Sequence, residues 1–291
     1  MKNITRKKFL ESCVRAFGAS VLATGTLNDL YPSSAPARVR MSPGFQVWTI
    51  RDKLVSDFPG TLKMMAGLGY RSVEMCSPPG YESSGFGPLM KLKAGEMKKI
   101  CEDAGLLLES SHYNMNELRN HLDERIEFAA ESGQKQMMLA SFGLPRNATL
   151  DDWMKAADEL NEAGVKVKAA GLILGFHNHN MEFSMLEGKL IYDALLERLD
   201  PEYVSMQFQV AVIELGYKAS DYFRKHPGRF ISAHLADWSP DQKKMVPLGQ
   251  GVVDWKDFFI SAKEGGVKNI FVEMDPSTFE ESVKYLNNLR W

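Results

Sequence analysis

Short apolar segments alternate with amphipathic, charge-bearing segments from Phe45 to the end of the chain, and few folds accommodate such a pattern. Eight of the apolar segments have the length and composition of buried strands: FQVWTI from Phe45, SVEMC from Ser72, LLLESS from Leu106, QMMLAS from Gln136, LILGFHNH from Leu172, VSMQFQ from Val204, FISAHL from Phe230 and NIFVEM from Asn269. Eight strands alternating with helices over ~250 residues predict a single α/β domain, a (β/α)8 or TIM barrel.

The segments between the strands carry apolar residues at helical spacing, and several end in glycine, as helices often do. The clearest of them cover residues 59–69, 95–105, 118–133, 149–171, 253–266 and 278–289. An open, doubly wound sheet is the alternative architecture. No Gly-x-Gly-x-x-Gly follows any of the strands, so nothing favours the dinucleotide-binding form of that fold.

The chain is nearly neutral, with 35 basic and 37 acidic residues, and no basic run persists beyond the N-terminus. This balance provides no basic surface for nucleic acid or for an anionic membrane. Beyond the N-terminus, no segment approaches the ~20 consecutive apolar residues that span a bilayer. We therefore expect a small polar substrate, no nucleic-acid partner and no membrane span.

Residues 1–37 have the features of an export signal. Three basic residues, Arg6 to Lys8, precede a mildly apolar stretch, and the triplet from Ala35 to Ala37 fits a small-residue cleavage site. The segment resembles a twin-arginine signal, with an Arg-Lys pair where that signal has Arg-Arg. This predicts export to the periplasm and a mature barrel over residues 38–291. The alternative is a disordered or helical extension on a cytoplasmic protein.

The three cysteines, Cys13, Cys76 and Cys101, have no C-x-x-C spacing, and Cys13 lies in the predicted signal. They indicate neither a disulfide framework nor a zinc knuckle. A bridge between Cys76 and Cys101 is left open, because spacing alone does not decide it.

Polar residues collect at the carboxyl ends of the predicted strands, where TIM barrels place their active sites. Four of the chain's six histidines lie in this set. The set is Trp48, Arg51, Glu74, His112, His177, Asn178, His179, Gln209, His234, Asp237, Glu273 and Asp275.

The segment GFHNHNMEF contains two histidines, His177 and His179, that project from the same face of a strand. Together with Glu182 they are able to converge on a cation or on sugar hydroxyls, the alternative being hydrogen-bonded polar groups at a strand end. Glu273 has apolar strand neighbours, a costly placement unless a cation or hydrogen-bond donors compensate. His112, taken alone, is better explained as a structural hydrogen-bonding group.

The strand-end segments together resemble one protein family. The segments QVWTIRD, VEM, ESSH, GFHNHNMEF, VSMQFQVAV, GRFISAHLADW, VPLGQGVVDW and FVEMD are similar to those of the sugar phosphate isomerase/epimerase family of xylose isomerase-like barrels. The resemblance covers the chain from Phe45 onward, and its most specific part runs from GRFISAHLADW to VPLGQGVVDW. It implies a divalent cation held by Glu, Asp, His and Glu at the ends of strands five to eight, and proton transfer next to a sugar carbonyl.

Two positions depart from this ligand pattern. The resemblance assigns the ligands of strands seven and eight to His234 and Glu273. It assigns the strand-five ligand to His177, with Glu182 as a nearby alternative, and the strand-six aspartate is Gln209 here. Such a set carries one formal negative charge, so we expect zinc, manganese or iron rather than magnesium. A site that binds sugar directly, without metal, is the alternative.

The implied chemistry also requires residues for catalysis and substrate binding. Abstraction of a proton next to a carbonyl requires a base, an acid and an electrophile near the oxygen. Our hypothesis assigns base and acid to Glu74 and His112, because Glu273, the third catalytic candidate, is less available if it binds the metal. Stacking and polar contacts to a sugar are predicted for Trp48, Arg51, His179, Glu182 and Trp238.

We therefore expect an isomerase or epimerase of an unphosphorylated sugar, because no Gly-rich, Lys-bearing phosphate loop follows the late strands. The first alternative is a lyase that cleaves 3-keto-glycosides by β-elimination from the same enediolate. The second is a non-catalytic carbohydrate-binding barrel, which Gln209 favours and the number of strand-end ionisable groups opposes. Barrels of this family often pair through their helical shells, so a homo-oligomer is a further expectation.

Overall fold

Eight parallel strands close into a barrel in the computed structural model, which describes residues 41–291. The strands are Pro43–Gln46, Ser72–Cys76, Leu107–Asn114, Gln136–Ser141, Ile173–His177, Val204–Gln209, Phe230–Leu235 and Asn269–Val272. Each pairs with the next along the chain, and the eighth pairs with the first, with Gly44 opposite Phe271. The predicted TIM barrel is confirmed. The export signal predicted over residues 1–37 lies outside the described residues.

Helices follow the strands and form the outer layer. In the described part of the chain they are Arg51–Ser56, Phe58–Leu68, Ala94–Asp103, Met115–Asn120, Leu122–Glu131, Leu150–Ala169, Ile191–Arg198, Ala219–Lys225, Trp255–Gly265 and Phe279–Asn288. The longest begins where the side chain of Thr149 accepts a hydrogen bond from the Asp152 amide, as the sequence TLDDW leads one to expect. The single helix predicted over residues 118–133 is instead two helices, separated at His121 by non-helical backbone with φ −138°.

The first strand is shorter than predicted and lies earlier in the chain. The sequence predicted a strand over residues 45–50, but it ends at Gln46. The side-chain carbonyl of Gln46 accepts a hydrogen bond from the Trp48 amide and turns the chain into a 3-10 turn, Trp48–Ile50. Trp48 and Arg51 therefore lie beyond the strand, on the turn and at the start of the first helix.

Two short hairpins extend the loops after strands five and seven. The first pairs Met185–Leu186 with Lys189–Leu190, and the second pairs Asp237–Ser239 with Lys244–Val246. Two-residue strands lack the periodicity that identifies longer elements, so the sequence did not predict the first hairpin.

Strand alternation sorts apolar from polar side chains across the barrel wall. In the sixth strand the buried aromatic ring of Phe208 packs on Phe223 of the helical layer, while Gln207 and Gln209 reach side chains of other strands inside the barrel. The centre of this barrel is consequently polar near its carboxyl end. That open end is called the mouth below.

Cys76 and Cys101 are both buried and free, so the bridge between them that spacing left open does not form. Among the described residues, no helix is both long and apolar enough to cross a membrane.

Candidate active site

Three histidines from different strands meet inside the mouth. His112 and His234 stack with ring centroids 5.1 Å apart and planes 8° from parallel, and His177 lies 4.4 Å from His234 and 4.9 Å from His112. All three are buried, and one nitrogen of each lies within 4.8 Å of the others. This spacing is suitable for a shared metal ion.

Glu74 lies beneath these rings with no exposed surface. Its Oε2 contacts Nε2 of His234 and lies 3.1 Å from Nε2 of His112, and its Oε1 accepts a hydrogen bond of 2.8 Å from Gln207. Burial alone would raise the pKa of Glu74, but the two imidazoles outweigh it and hold the pKa below its usual range. Glu74 is therefore a buried anion whose two oxygens are both engaged.

His234 bridges two carboxylates. Its Nε2 faces Glu74, and its Nδ1 lies 3.0 Å from Oε2 of Glu273. Burial opposes a charge on this ring, but the two carboxylates raise the pKa of His234 to about 9. At neutral pH in this arrangement, His234 is an imidazolium held between two anions.

Glu273 is the carboxylate that reaches the mouth. Its side chain is 17% exposed, whereas that of Glu74 is fully buried. Burial would raise the pKa of Glu273, but the charge and hydrogen bond of His234 lower it overall. Gln209 donates a further hydrogen bond of 2.8 Å to Oε2 of Glu273. Glu273 is thus an ionised base with one face open to solvent.

The two histidines of GFHNHNMEF are neutral imidazoles. Burial and the neighbouring rings place the pKa of His177 well below its ordinary value, and burial is the main reason that the pKa of His179 falls to about 4. Their ring centroids are 4.9 Å apart. The Nδ1 atom of His177 is buried and has no hydrogen-bond partner. A neutral imidazole with an unused nitrogen is the form of histidine that binds metals.

Gln209 occupies the strand-six position with its amide already engaged. Its Nε2 faces Glu273, and its Oε1 accepts a hydrogen bond of 3.2 Å from the Ala211 amide, which starts the turn Val210–Leu215. The carbonyl therefore caps a turn. The second lone pair of Oε1 remains available to bind a cation.

Glu182 takes a local structural position. Its Oε2 accepts a hydrogen bond of 2.7 Å from the His179 amide and caps the turn Asn180–Phe183. The residue has no exposed surface, and burial raises its pKa to about 7. Its Oε1 is buried and has no hydrogen-bond partner. The predicted contact between Glu182 and a sugar stays a prediction.

The aromatic and cationic candidates lie apart, at the rim of the mouth. Trp48 is half-buried between Tyr81 and Phe86 of the loop after strand two, and the Arg51 guanidinium lies 4.9 Å above its ring. Trp238 is half-buried on the hairpin after strand seven. These residues lie on the segments that follow strands one and seven, and their predicted contacts with a sugar stay predictions.

Asp237 organises the loop after strand seven and was missed as a key residue. Its buried carboxylate accepts five hydrogen bonds of 2.8 to 3.2 Å. The donors are the amides of Trp238, Gly249, Gly251 and Val253 and the indole of Trp255. A side chain at Gly251 would also collide with this carboxylate, since an added Cβ would lie 2.2 Å from Oδ1. The sequence feature that could have identified Asp237 as a key residue is its position ahead of a glycine-rich segment.

The donor set fits a metal ion. His177 offers an unpartnered nitrogen, and the 3.0 Å between Nδ1 of His234 and Oε2 of Glu273 suits two ligands of one cation. Glu74 contacts the other nitrogen of His234, as carboxylates commonly do behind metal-bound histidines. Nitrogen donors with one carboxylate favour a borderline transition ion.

A family model and solved structures of other proteins both support the TIM-barrel fold of this chain. Residues 62–289 match the family model described as xylose isomerase-like TIM barrel. A sugar phosphate isomerase/epimerase from Parabacteroides distasonis ATCC 8503 is structurally similar, with a TM-score of 0.71 and 24% identity over 86% of this chain and 94% of that one.

Two further solved structures share the fold at lower identity. A protein described as IOLI with a binding zinc atom has a TM-score of 0.59 and 14% identity, over 85% of this chain and 95% of that one. An L-ribulose 3-epimerase has a TM-score of 0.58 and 14% identity, over 86% and 87%. No protein of curated function matches the sequence.

Proposed function

The chain belongs to the xylose isomerase-like TIM barrel family, and from that premise we propose that it isomerises or epimerises an unphosphorylated sugar by moving a proton next to a carbonyl. One observation carries the proposal. Glu273, an ionised carboxylate with an open face, lies 3.0 Å from a buried imidazolium at the mouth. Such a pair provides a base together with positive charge near the anion that deprotonation creates.

Glu273 is assigned the proton transfer. Its free oxygen removes the proton from the carbon next to the carbonyl, and the electron pair of the broken C–H bond moves into the enediolate. Isomerisation follows when the same carboxyl returns the proton to the former carbonyl carbon, while the proton of the neighbouring hydroxyl moves to the former carbonyl oxygen. Epimerisation returns a proton to the opposite face, and His112 is the candidate for that second group.

Glu74, a candidate base in the sequence, is assigned a different role. It has no exposed surface, and hydrogen-bonding partners occupy both of its oxygens. A carboxylate in that position does not reach a substrate carbon. We assign it to orienting His112 and His234, while its negative charge stabilises the imidazolium.

The proposed metal ligands are His177, Gln209, His234 and Glu273, with His112 close enough to replace one of them. His234 is an imidazolium only in the metal-free protein, and a bound cation would replace the proton on its Nδ1 and keep positive charge beside Glu273. A divalent cation bound there would polarise the carbonyl and stabilise the charge of the enediolate. The nitrogen-rich donor set supports zinc, manganese or iron over magnesium. The zinc in the structurally similar IOLI protein is in keeping with this choice.

Substrate contacts are proposed for the rim. Trp48 and Trp238 would stack on the apolar face of a sugar ring, and Arg51 and His179 would bind its oxygens. Export through residues 1–37 would bring the enzyme to unphosphorylated sugars outside the cytoplasm. Fractionation of cells that express the full chain and an Arg6→Gln/Lys7→Gln variant tests the export proposal, which predicts a periplasmic parent and a retained variant.

Deuterium exchange is the first test of the reaction. The protein is incubated in D2O with a panel of keto sugars and 3-keto-glycosides, after metal analysis and supplementation with manganese, zinc or iron. We expect deuterium next to the carbonyl of one substrate and about one transition ion per chain, lost in His234→Ala. Exchange that persists unchanged in Glu273→Gln contradicts the assignment.

The products then distinguish the reaction types. An aldose, ketose or epimer supports the proposed function, whereas release of an aglycone from a 3-keto-glycoside identifies a lyase. Binding without exchange on every substrate and metal identifies a carbohydrate-binding barrel.

A further inference from the structure

Gln207 is a buried amide below the proposed catalytic residues. It lies in the sixth strand two positions before Gln209, so both side chains project to the same side of the barrel wall. Gln207 has no exposed surface, whereas Gln209 retains 8%. Gln207 therefore lies one layer deeper than the residues at the mouth and does not contact substrate.

The hydrogen bonds of Gln207 connect three strands. Its Nε2 donates to Oε1 of Glu74 at 2.8 Å and to the Ser232 hydroxyl at 3.0 Å. Its Oε1 lies 2.9 Å from Nε2 of His112. The amide thus uses both of its N–H groups and its carbonyl within the barrel.

The partners of Gln207 determine which way its amide points. Glu74 receives contacts from His112 and His234 on its other oxygen, so it acts as an acceptor throughout. An amide turned the other way would set a carbonyl against a carboxylate, two acceptors with no proton between them. The amide nitrogen must face Glu74, and the carbonyl must then face His112.

This orientation has a consequence for His112. A carbonyl has no proton to donate, so the 2.9 Å contact is a hydrogen bond only if Nε2 of His112 carries the proton. The Glu74 oxygen 3.1 Å from the same nitrogen also requires a proton there. Both neighbours require a proton on Nε2, so the neutral form of His112 is the Nε2–H tautomer, with its lone pair on Nδ1.

We propose that Gln207 is a positioning residue, which fixes the Nε2–H tautomer of His112 and holds Glu74 against His234. A continuous chain of contacts then runs from Gln207 through Glu74 and His234 to Glu273 at the mouth. Through this chain Gln207 sets the orientation of the imidazole beside the base. The kinetic part of this inference rests on the proposed function, and the tautomer part does not.

The test compares Gln207→Met with Gln136→Met. Gln136 is a matched control, because it is 2% exposed, lies in the fourth strand and donates a hydrogen bond of 2.6 Å to Asn269 at the opposite end of the barrel. Proteins labelled with ¹⁵N-histidine are treated with EDTA and studied by NMR near pH 8.5, about two units above the ordinary histidine pKa.

We expect the Nε2–H tautomer for His112 in the parent and in Gln136→Met, and a mixture or the Nδ1–H tautomer in Gln207→Met. An Nδ1–H or doubly protonated His112 in the parent overturns the inference, as does an unchanged tautomer in Gln207→Met. This result stands whether or not the protein turns over a sugar.

Kinetics test the second half of the proposal. Gln207→Met should lower kcat roughly 10- to 100-fold with KM within about twofold, since supporting residues of this kind have effects of that size. A loss carried by KM, or an unchanged kcat, contradicts the positioning role. A parent with no turnover would refute the proposed function and leave the tautomer result to decide the inference.

Gln207→Glu is the conservative replacement. Two buried carboxylates at the 2.8 Å that separates Gln207 from Glu74 do not both ionise, so the new side chain keeps a proton, donates it to Glu74 and still accepts from His112. The tautomer should persist, and kcat should exceed that of Gln207→Met. An Nδ1–H tautomer in this variant contradicts the role given to the side-chain carbonyl, and Gln207→Leu repeats the test if Gln207→Met proves unstable.

Discussion

The charge on His234 depends on two carboxylates that differ in one respect. Glu74 is sealed within the barrel, and Glu273 keeps one face in the mouth. Both hold a proton on the ring, but only Glu273 is open to a substrate. The difference in exposure, rather than a difference in residue type, separates a structural anion from a candidate base.

Replacement of Glu273 tests this distinction. Glu273→Gln keeps the size of the side chain and removes the base, so we expect proton exchange to fall by a factor on the order of 10² to 10⁴. The fold should persist, since the amide still hydrogen-bonds to neighbouring groups. Turnover and thermal melting of this variant are compared with those of Glu197→Gln, a change at an exposed helical position. Equal loss in both variants would point to instability instead of catalysis.

Gln209 makes a second prediction at the residue scale. Gln209→Asp replaces a donor to Glu273 with a second carboxylate, so repulsion should lower the melting temperature of the metal-free protein. An added cation should reverse this loss and bind about tenfold more tightly than in the parent. Thermal melting with and without manganese measures the first effect, and calorimetric titration with manganese measures the second. Gln242→Glu, on an exposed loop, is the control and should change neither.

The sequence predicted the residues of the mouth better than their roles. The residues that converge were identified from their positions at the carboxyl ends of predicted strands, because the direction of the chain determines which end of each strand this is. Gln207 was overlooked because one amide within VSMQFQ resembles any polar residue in a strand. The role of Glu74 depends on contacts with His112, Gln207 and His234, which lie 38, 133 and 160 positions away. No local pattern reveals such contacts.

At the scale of elements, the loop after strand seven is built on one carboxylate. Five N–H groups between Trp238 and Trp255 donate hydrogen bonds to Asp237. These bonds fix the hairpin that carries Trp238. The loop is therefore fixed in shape before any ligand arrives. The family resemblance is most specific in this region, but the hydrogen bonds that make Asp237 its support are visible only in the structure.

Asp237→Asn should loosen this loop. An amide has one acceptor atom where the carboxylate has two, so several buried N–H groups lose their partner at a cost of roughly 1–3 kcal/mol each. We expect a lower melting temperature and faster proteolysis between residues 240 and 252. Asp241→Asn in the same loop is exposed and should leave both properties unchanged. Parental protease resistance in Asp237→Asn would contradict the role given to this residue.

The elements themselves were predicted unevenly. Most strands of five or more residues were found within two residues of their ends, as Val204–Gln209 illustrates, but the third strand continues to Asn114, three residues beyond LLLESS. The first strand was misplaced because FQVWTI is apolar throughout, and only the side chain of Gln46 ends it. The break at His121 was also missed, because the apolar spacing continues across it.

For the molecule as a whole, the buried charges predict how stability varies with pH. Below the ordinary histidine pKa near 6.5, His234 is protonated in both folded and unfolded chains, and its stabilisation is fully present. As the pH rises towards 9, the unfolded chain loses this proton first, so the stabilisation decays. We expect metal-free protein to lose stability, on the order of 3 kcal/mol, between pH 6.5 and 9.

At low pH, the stability of the protein depends on other ionisable groups. The lowered pKa values of Glu74 and Glu273 add stability above their ordinary range, which is lost as the pH falls through their folded values. His177 and His179 are neutral in the fold, so protonation of the unfolded chain below pH 6.5 also destabilises it. Urea unfolding from pH 4 to 9.5 with EDTA measures both limbs. An alkaline limb as steep in Glu273→Gln as in the parent would contradict the account of His234.

The rim tryptophans make the mouth visible to fluorescence. Trp153 and Trp255 are buried and emit from apolar surroundings, whereas Trp48 lies half-exposed under a guanidinium and Trp238 half-exposed on the hairpin. Trp291 is the other partly exposed tryptophan, and Trp291→Phe removes its signal. Any molecule that fills the mouth must then shield the two remaining solvent-facing indoles, shifting their emission to the blue and reducing quenching by acrylamide. Tryptophan fluorescence is thus expected to report ligand binding before a product has been identified.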